Sequence, residues 1–178
     1  SHGDVCQINN MKTAIRVSAK STLLICGSSK NHPSKTGIEI IAKEKVYKVE
    51  KPWGHELWLS GENHPNYAFK EIFIKKGTKT SLQYHNFKRE TNVLFKGNTY
   101  LHYKFTNTPN DEVSDNDIKQ YKMNPVEVLD VYPKTLHRLE AITDVLLYET
   151  STPDLDDVIR VSDDANRKDG RIDSEHKV

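Results

Sequence analysis

Cysteine is scarce, at two in 178 residues, and both thiols, Cys6 and Cys26, come early. Two cysteines make no disulfide framework for a chain this long, and their spacing is not that of a metal finger. A reducing compartment is the expectation. Long apolar runs are missing too. Leu23-Leu24-Ile25-Cys26 is far short of the roughly 20 residues of a membrane span, or of a secretion-signal core. No membrane partner is expected, and the cytoplasm is the expected location. Charge of one sign is also absent, since 26 Lys and Arg against 25 Asp and Glu leave +1 with His neutral. That balance gives no long-range field for nucleic acid, although local basic groups can still bind a phosphate.

The chain is 35% hydrophobic and 29% charged. That composition is polar, yet it holds enough branched and aromatic residues for one packed core, and the length suits one domain. Residues 12–20 and 22–26 are compatible with strands, and 38–49 favour strand before Pro52-Trp53-Gly54. From Tyr67 onward, short runs rich in β-branched and aromatic residues recur between turn residues, at 69–74, 80–85, 91–95, 99–105, 126–131 and 145–149. Many short strands at close spacing predict an all-β closed sandwich or barrel. Residues 106–122 read as a long polar loop with a short helical turn near 115–121. The charged stretch from 168 to 178 reads as a mobile tail. The resulting division is an N-terminal extension over 1–50, acting as edge strands or a dimer arm, a core domain over 51–167, and the tail.

The chain also holds a cluster of donor atoms. Gln83 and His85 stand two apart, so on a strand both point to one face while Leu82 and Tyr84 point to the other. Glu90 follows, and then Gly97 in Phe95-Lys96-Gly97-Asn98, a hairpin signal that can return Glu90 beside the pair. His137, in Tyr132-Pro133-Lys134-Thr135-Leu136-His137, offers a fourth donor. Two imidazoles, a carboxylate and an amide oxygen suit one divalent Zn, Mn, Fe, Co or Ni ion, with no thiolate in the set. With one anionic ligand, such an ion keeps the positive charge of a Lewis acid. The competing reading makes Gln83 and His85 ordinary polar residues lining a barrel. Lys70 and Arg138 are the residues proposed to orient a phosphate or hydroxyl, against simple pairing with Glu71 and Glu140. His55, His64 and His102 read as surface or core polar groups. Trp53 and Trp58 could stack on a sugar face, with the core favoured for Trp58.

The pattern Gly-(x)5-ligand-x-His-(x)4-Glu-(x)6-Gly, from Gly77 to Gly97, followed by Pro133 and His137, resembles the two-part signature of the cupins. More narrowly, Lys51-Pro52-Trp53-Gly54, Ser81-Leu82-Gln83, His137-Arg138-Leu139-Glu140 and Asp156-Asp157-Val158-Ile159-Arg160 resemble the C-terminal cupin domain of type II mannose-6-phosphate isomerases. The resemblance covers roughly 51–167 and includes no nucleotidyltransferase signature. His85-Asn86-Phe87-Lys88-Arg89-Glu90 departs from that family's histidine run, which points to altered pocket neighbours. The resemblance implies a cupin-type double-stranded β-helix with an N-terminal β extension, assembling as a homodimer. It also implies a metal held by Gln83, His85, Glu90 and His137, and isomerisation of a sugar phosphate in nucleotide-sugar or polysaccharide precursor synthesis, with Lys70 and Arg138 orienting the substrate. The alternatives are a non-catalytic sugar-binding or regulatory cupin and an Fe-dependent cupin dioxygenase.

Overall fold

The computed structural model describes residues 37–62, 64–105 and 117–176, together with the backbone of two short strands near the N-terminus. The expected strand at 22–26 and most of the 106–122 loop lie outside the described residues. The chain divides into two compact units, residues 1–37 and 38–178. In the first, β1 (Asp4–Gln7) pairs antiparallel with β2 (Ala14–Val17). The expected boundary at 50/51 is therefore corrected to 37/38. The strand that the old boundary would cut, β3 (Tyr47–Lys51), pairs along its whole length with β4 (Gly54–Trp58).

The second unit is two antiparallel sheets. Besides β3 and β4, the first contains β5 (Ala68–Ile74), β7 (Glu90–Lys96), β10 (Val128–Val131) and β12 (Val145–Ser151), in the order β10-β7-β12-β5-β4-β3. The second contains β6 (Leu82–Tyr84), β8 (Thr99–Phe105), β9 (Lys119–Met123), β11 (Thr135–Ala141) and β13 (Ile159–Ser162), in the order β13-β6-β11-β8-β9. The helical turn expected near 115–121 is corrected at its described end: residues 119–123 are strand, held by register with β8. Among the described residues no helix is long and apolar enough to cross a membrane.

Strand alternation decides what faces the interior. Along β5, β7 and β12 every second residue from the first is buried, at least as far as Leu94 in β7. At one end these inward positions are apolar. Ile72 pairs with Leu147 and Leu147 with Leu94, joining Trp53, Ile74, Leu101, Met123 and Val145 in the main core. At the other end the same inward rows carry Lys70 opposite Glu149, Glu149 opposite Asn92, and Ser151 opposite Glu90. One strand face thus changes from hydrocarbon to charge along its length, and the site begins at that change. A second small cluster of Leu82, Tyr84 and Leu136 lies on the other face of the five-stranded sheet.

Gly97 ends β7 at φ +92°, and a Cβ there would collide with the carbonyl oxygen of Asp144. Only glycine accepts both conditions without strain. The turn it permits sends β8 back along the second sheet.

The segment after β13, expected as a mobile tail, folds back on the barrel. The amide of Gly170 donates to Val158 O at 2.8 Å, and Arg160 donates to Lys168 O and Gly170 O. Residues Asp173–His176 form a 3-10 turn. There Glu175 accepts from Lys51 Nζ at 2.8 Å, and the ring of His176 meets Trp58 edge-on at 5.4 Å. The charged composition that suggested disorder instead supplies specific ion pairs.

Candidate metal centre

β6 and β11 are paired at Gln83 and His137, so these two side chains share a face. The chain leaving β6 carries His85, and β7 begins at Glu90. The Nδ1, Nε2 and carboxylate atoms available on His85, Glu90 and His137 bring one donor from each residue within 4.8 Å of the others, and all three residues are buried.

Which nitrogen of each imidazole faces inward is settled by the backbone. His85 Nδ1 lies against Asp157 O, and His137 Nδ1 is 2.9 Å from Thr135 O. A carbonyl only accepts, so each Nδ1 carries the proton and each Nε2 presents a lone pair. These lone pairs converge on Glu90, with His85 Nε2 3.1 Å from Oε1 and His137 Nε2 3.6 Å from Oε2. His85 Nε2 is buried and has no hydrogen-bond partner. Two acceptors facing each other at that distance repel unless a cation lies between them, so the donor set fits a divalent metal.

Burial pushes the Glu90 carboxyl up, but the Lys88 ammonium bonded to it opposes this, and the group is held well below the ordinary range. Burial, with smaller contributions from neighbouring His85 and Lys88, pushes His137 down against the pull of Glu90. Both groups are therefore in the ligand form at neutral pH, an ionised carboxylate and a neutral imidazole.

Gln83 lines the same cavity, and its Oε1 accepts from Ser81 Oγ at 2.6 Å. A second lone pair remains on that oxygen for a metal. Lys70 also faces the cavity. Its ammonium is 3.4 Å from Glu56 Oε2, 3.9 Å from Glu149 Oε1 and 4.6 Å from the centre of the Trp58 ring. Its partners are these two carboxylates, while Glu71 accepts from Tyr148 OH.

Arg138 is not brought to the donors. As the neighbour of His137 on β11 it points to the opposite face, where Nε donates to Thr80 O at 2.8 Å and one terminal nitrogen lies 3.2 Å from Asp164. The substrate-orienting role expected of it has no geometric support, because strand alternation separates it from the cavity. His102 pairs with Glu140 at 2.8 Å. Trp53 and Trp58 are both buried and both line the cavity.

The sequence reading missed Lys88, Glu149, Glu56 and Asp157. Lys88 lies in the motif, almost wholly buried, bonded to Glu90 and 3.1 Å from Glu149 Oε1. Burial would discharge it, but Glu149 and Glu90 prevail and raise its affinity for the proton. Glu56 accepts from Trp58 Nε1 at 2.8 Å. Inward parity on β12 was the one available signal for Glu149. A cavity of about 120 Å³ joins Lys88, Glu149 and Glu56 to Gln83, Glu90 and His137.

No protein-family model matches the chain, and no curated protein is significantly similar in sequence. Solved structures do match in shape. The capsular polysaccharide assembling protein CapF from Staphylococcus aureus aligns with a TM-score of 0.54 at 17% identity, over 66% of this chain and 32% of that one. A formate complex of Lactobacillus farciminis oxalate decarboxylase aligns at 0.53 and 11%, over 66% and 34%. Bacillus subtilis oxalate decarboxylase, a protein with Mn(II) centres, aligns at 0.52 and 14%, over 66% and 30%. The chain spans about a third of the length of these structures. Two facing antiparallel sheets and these likenesses define the fold as a cupin-type double-stranded β-helix, with a His-Glu-His group able to hold a metal.

Proposed function

We propose that this protein is a metal-dependent cupin isomerase of a sugar phosphate, working in nucleotide-sugar or polysaccharide precursor synthesis. The observation that carries the reading is the pair of Nε2 lone pairs turned toward Glu90, each fixed by a backbone carbonyl behind it. His85, Glu90 and His137, with Gln83 beside them, would hold the ion, which supplies a Lewis acid for a sugar carbonyl and its neighbouring hydroxyl. Lys70 orients a hydroxyl from the adjacent wall. Glu149, opposite Lys70 in register, is the carboxylate placed to move the proton between adjacent carbons. Trp58 gives that wall an apolar surface for a sugar ring. The likeness to CapF, named for capsular polysaccharide assembly, supports the choice of pathway class. Homodimerisation and a cytoplasmic location belong to the same proposal. Exposed Phe95, Val126 and Val128 support a subunit contact.

A second reading, a metal-free sugar-binding cupin, is favoured by one observation: Lys88 already neutralises Glu90. Elemental analysis and turnover separate the two. The isomerase should hold about one transition metal per chain, lost in His85→Ala and His137→Ala. With mannose 6-phosphate or fructose 6-phosphate in deuterated water it should form the partner sugar with deuterium on carbon. Metal-free protein of full stability would favour the binding module. Oxygen uptake without isomerisation would favour a dioxygenase.

A further inference from the structure

One wall of the cavity is not part of the barrel. Arg171, Ile172 and His176 line it beside Lys51 and Trp58, yet residues 171–176 belong to neither sheet. No residue of the 3-10 turn Asp173–His176 is buried, so this wall has no hydrophobic core behind it. Segments with few buried contacts are those that open locally while the rest of a fold stays intact.

The attachment changes at Gly170. Up to that residue the chain is anchored through its backbone. The Gly170 amide donates to Val158 O at 2.8 Å, the Arg160 amide donates to Asp169 Oδ1 at 2.7 Å, and the Arg160 guanidinium donates to the carbonyls of Lys168 and Gly170. Beyond Gly170 the latches are side chains. Arg171 pairs with Glu62, Glu175 accepts from Lys51 Nζ at 2.8 Å, and Tyr47 OH lies 3.0 Å from His176 Nδ1. Gly170 itself has φ +72°, a left-handed conformation that glycine adopts without steric cost. A fixed anchor, a glycine and a detachable end are the parts of a hinge.

Size is the reason for the hinge to move. The cavity holds about 120 Å³, whereas an apolar cavity of about 150 Å³ takes up benzene. A hexose is bulkier than benzene, and a phosphate adds to it. We propose that residues 171–176 are a hinged cover that swings about Gly170 to admit a ligand of sugar size. The inference rests on the reading above only for the size of that ligand, and it needs neither a metal nor turnover.

Glu175→Gln unlatches the cover without stranding a charge, because Lys51 keeps Glu56 at 3.8 Å and Arg167 keeps Asp163 at 2.7 Å. Tyr47→Phe releases a second latch and alters no residue of the cover. Two rates report the open population. One is hydrogen exchange at the amide of residue 175, which donates within the turn to Ile172 O at 2.9 Å. The other is oxidation by N-bromosuccinimide of Trp58, which His176 meets edge-on at 5.4 Å, read by mass spectrometry of its peptide. Both rates should rise roughly tenfold in Glu175→Gln, as loss of a charge-assisted hydrogen bond implies, and by less in Tyr47→Phe. Exchange at the Gly170 amide should not change. Mannose 6-phosphate bound to the wild type, as measured by calorimetry, should speed exchange at residue 175. Unchanged exchange there in both folded variants overturns the proposal. So does exchange at Gly170 rising in step with residue 175, because the segment then peels off its anchor with no hinge. Faster exchange without faster Trp58 oxidation also overturns it, since the turn then moves without covering the cavity, as does mannose 6-phosphate that binds and leaves exchange at residue 175 unaltered. Should Glu175→Gln fail to fold by circular dichroism, Tyr47→Phe carries the same comparison. Absence of metal or of turnover removes the isomerase reading, while the two rates in the variants still support the cover.

Discussion

Replacing Asp157 with alanine should loosen the metal centre without touching a ligand. The Asp157 carboxylate accepts three successive backbone N–H groups, from Asn86 at 3.0 Å, Phe87 at 2.6 Å and Lys88 at 3.0 Å. Its own carbonyl oxygen takes the Nδ1 proton of His85. The side chain thus pins the turn between β6 and β7, and the main chain of the same residue aims the imidazole. A hydrogen bond to a charged group contributes about 1.5–3 kcal/mol. This turn is partly open, however, with Phe87 76% exposed, so water replaces much of what alanine removes. A net loss of about 2 kcal/mol follows, equivalent to roughly 4–8 °C in melting temperature for a domain of this size. Burial raises the Asp157 carboxyl, but the three N–H groups outweigh it and hold it below its ordinary value. A group depressed in the folded state stabilises above its unfolded pKa, and the contribution fades as pH falls toward the folded one. The difference between wild type and Asp157→Ala should therefore be full at pH 7 and shrink below about pH 4. Metal affinity should fall about tenfold to hundredfold, because the turn that carries His85 is no longer pinned and its imidazole is held less firmly against the carbonyl of residue 157. Urea and thermal unfolding at two pH values, with metal content after dialysis, give the readouts. Unchanged stability together with unchanged metal retention at pH 7 would refute the reasoning.

Burial pushes the Glu56 carboxyl up, but Lys70, Lys51 and the Trp58 N–H outweigh it and hold it at about 2. Its stabilisation should be complete above about pH 4.5 and be lost as pH falls toward 2, contributing on the order of 3 kcal/mol to acid sensitivity. Acid titrations of Glu56→Gln should show a shallower loss over that window, and equal slopes would sink the assignment. Gly97→Ala should destabilise the fold by about 1–3 kcal/mol, measured by urea unfolding, because the φ of +92° and the Asp144 carbonyl both exclude a Cβ. A neutral outcome would mean that this turn is free to move.

Local pattern alone determined that the chain is all-β and that Gln83 and His85 share a face, because strand alternation has a period of two and needs no partner to be read. The glycine at 97 marked a turn, since its backbone demand is local, but β7 and β8 lie in different sheets and form no hairpin; Glu90 is set beside His85 by the turn between β6 and β7. Tertiary structure decided which neighbours those residues meet. Arg138 stands beside His137 in sequence, yet the same alternation turns it to the other sheet face, onto Thr80 and Asp164. Glu149 and Glu56 become site residues only through register with β5, which depends on how distant strands pair. The segment after Arg160 looked unfoldable because its charges had no visible partners. Those partners include Lys51 for Glu175 and Glu62 for Arg171, far away along the chain. Lys88 shows the limit most plainly. Its place in the motif was legible, but the buried ammonium between Glu90 and Glu149 exists only once β7 and β12 lie side by side.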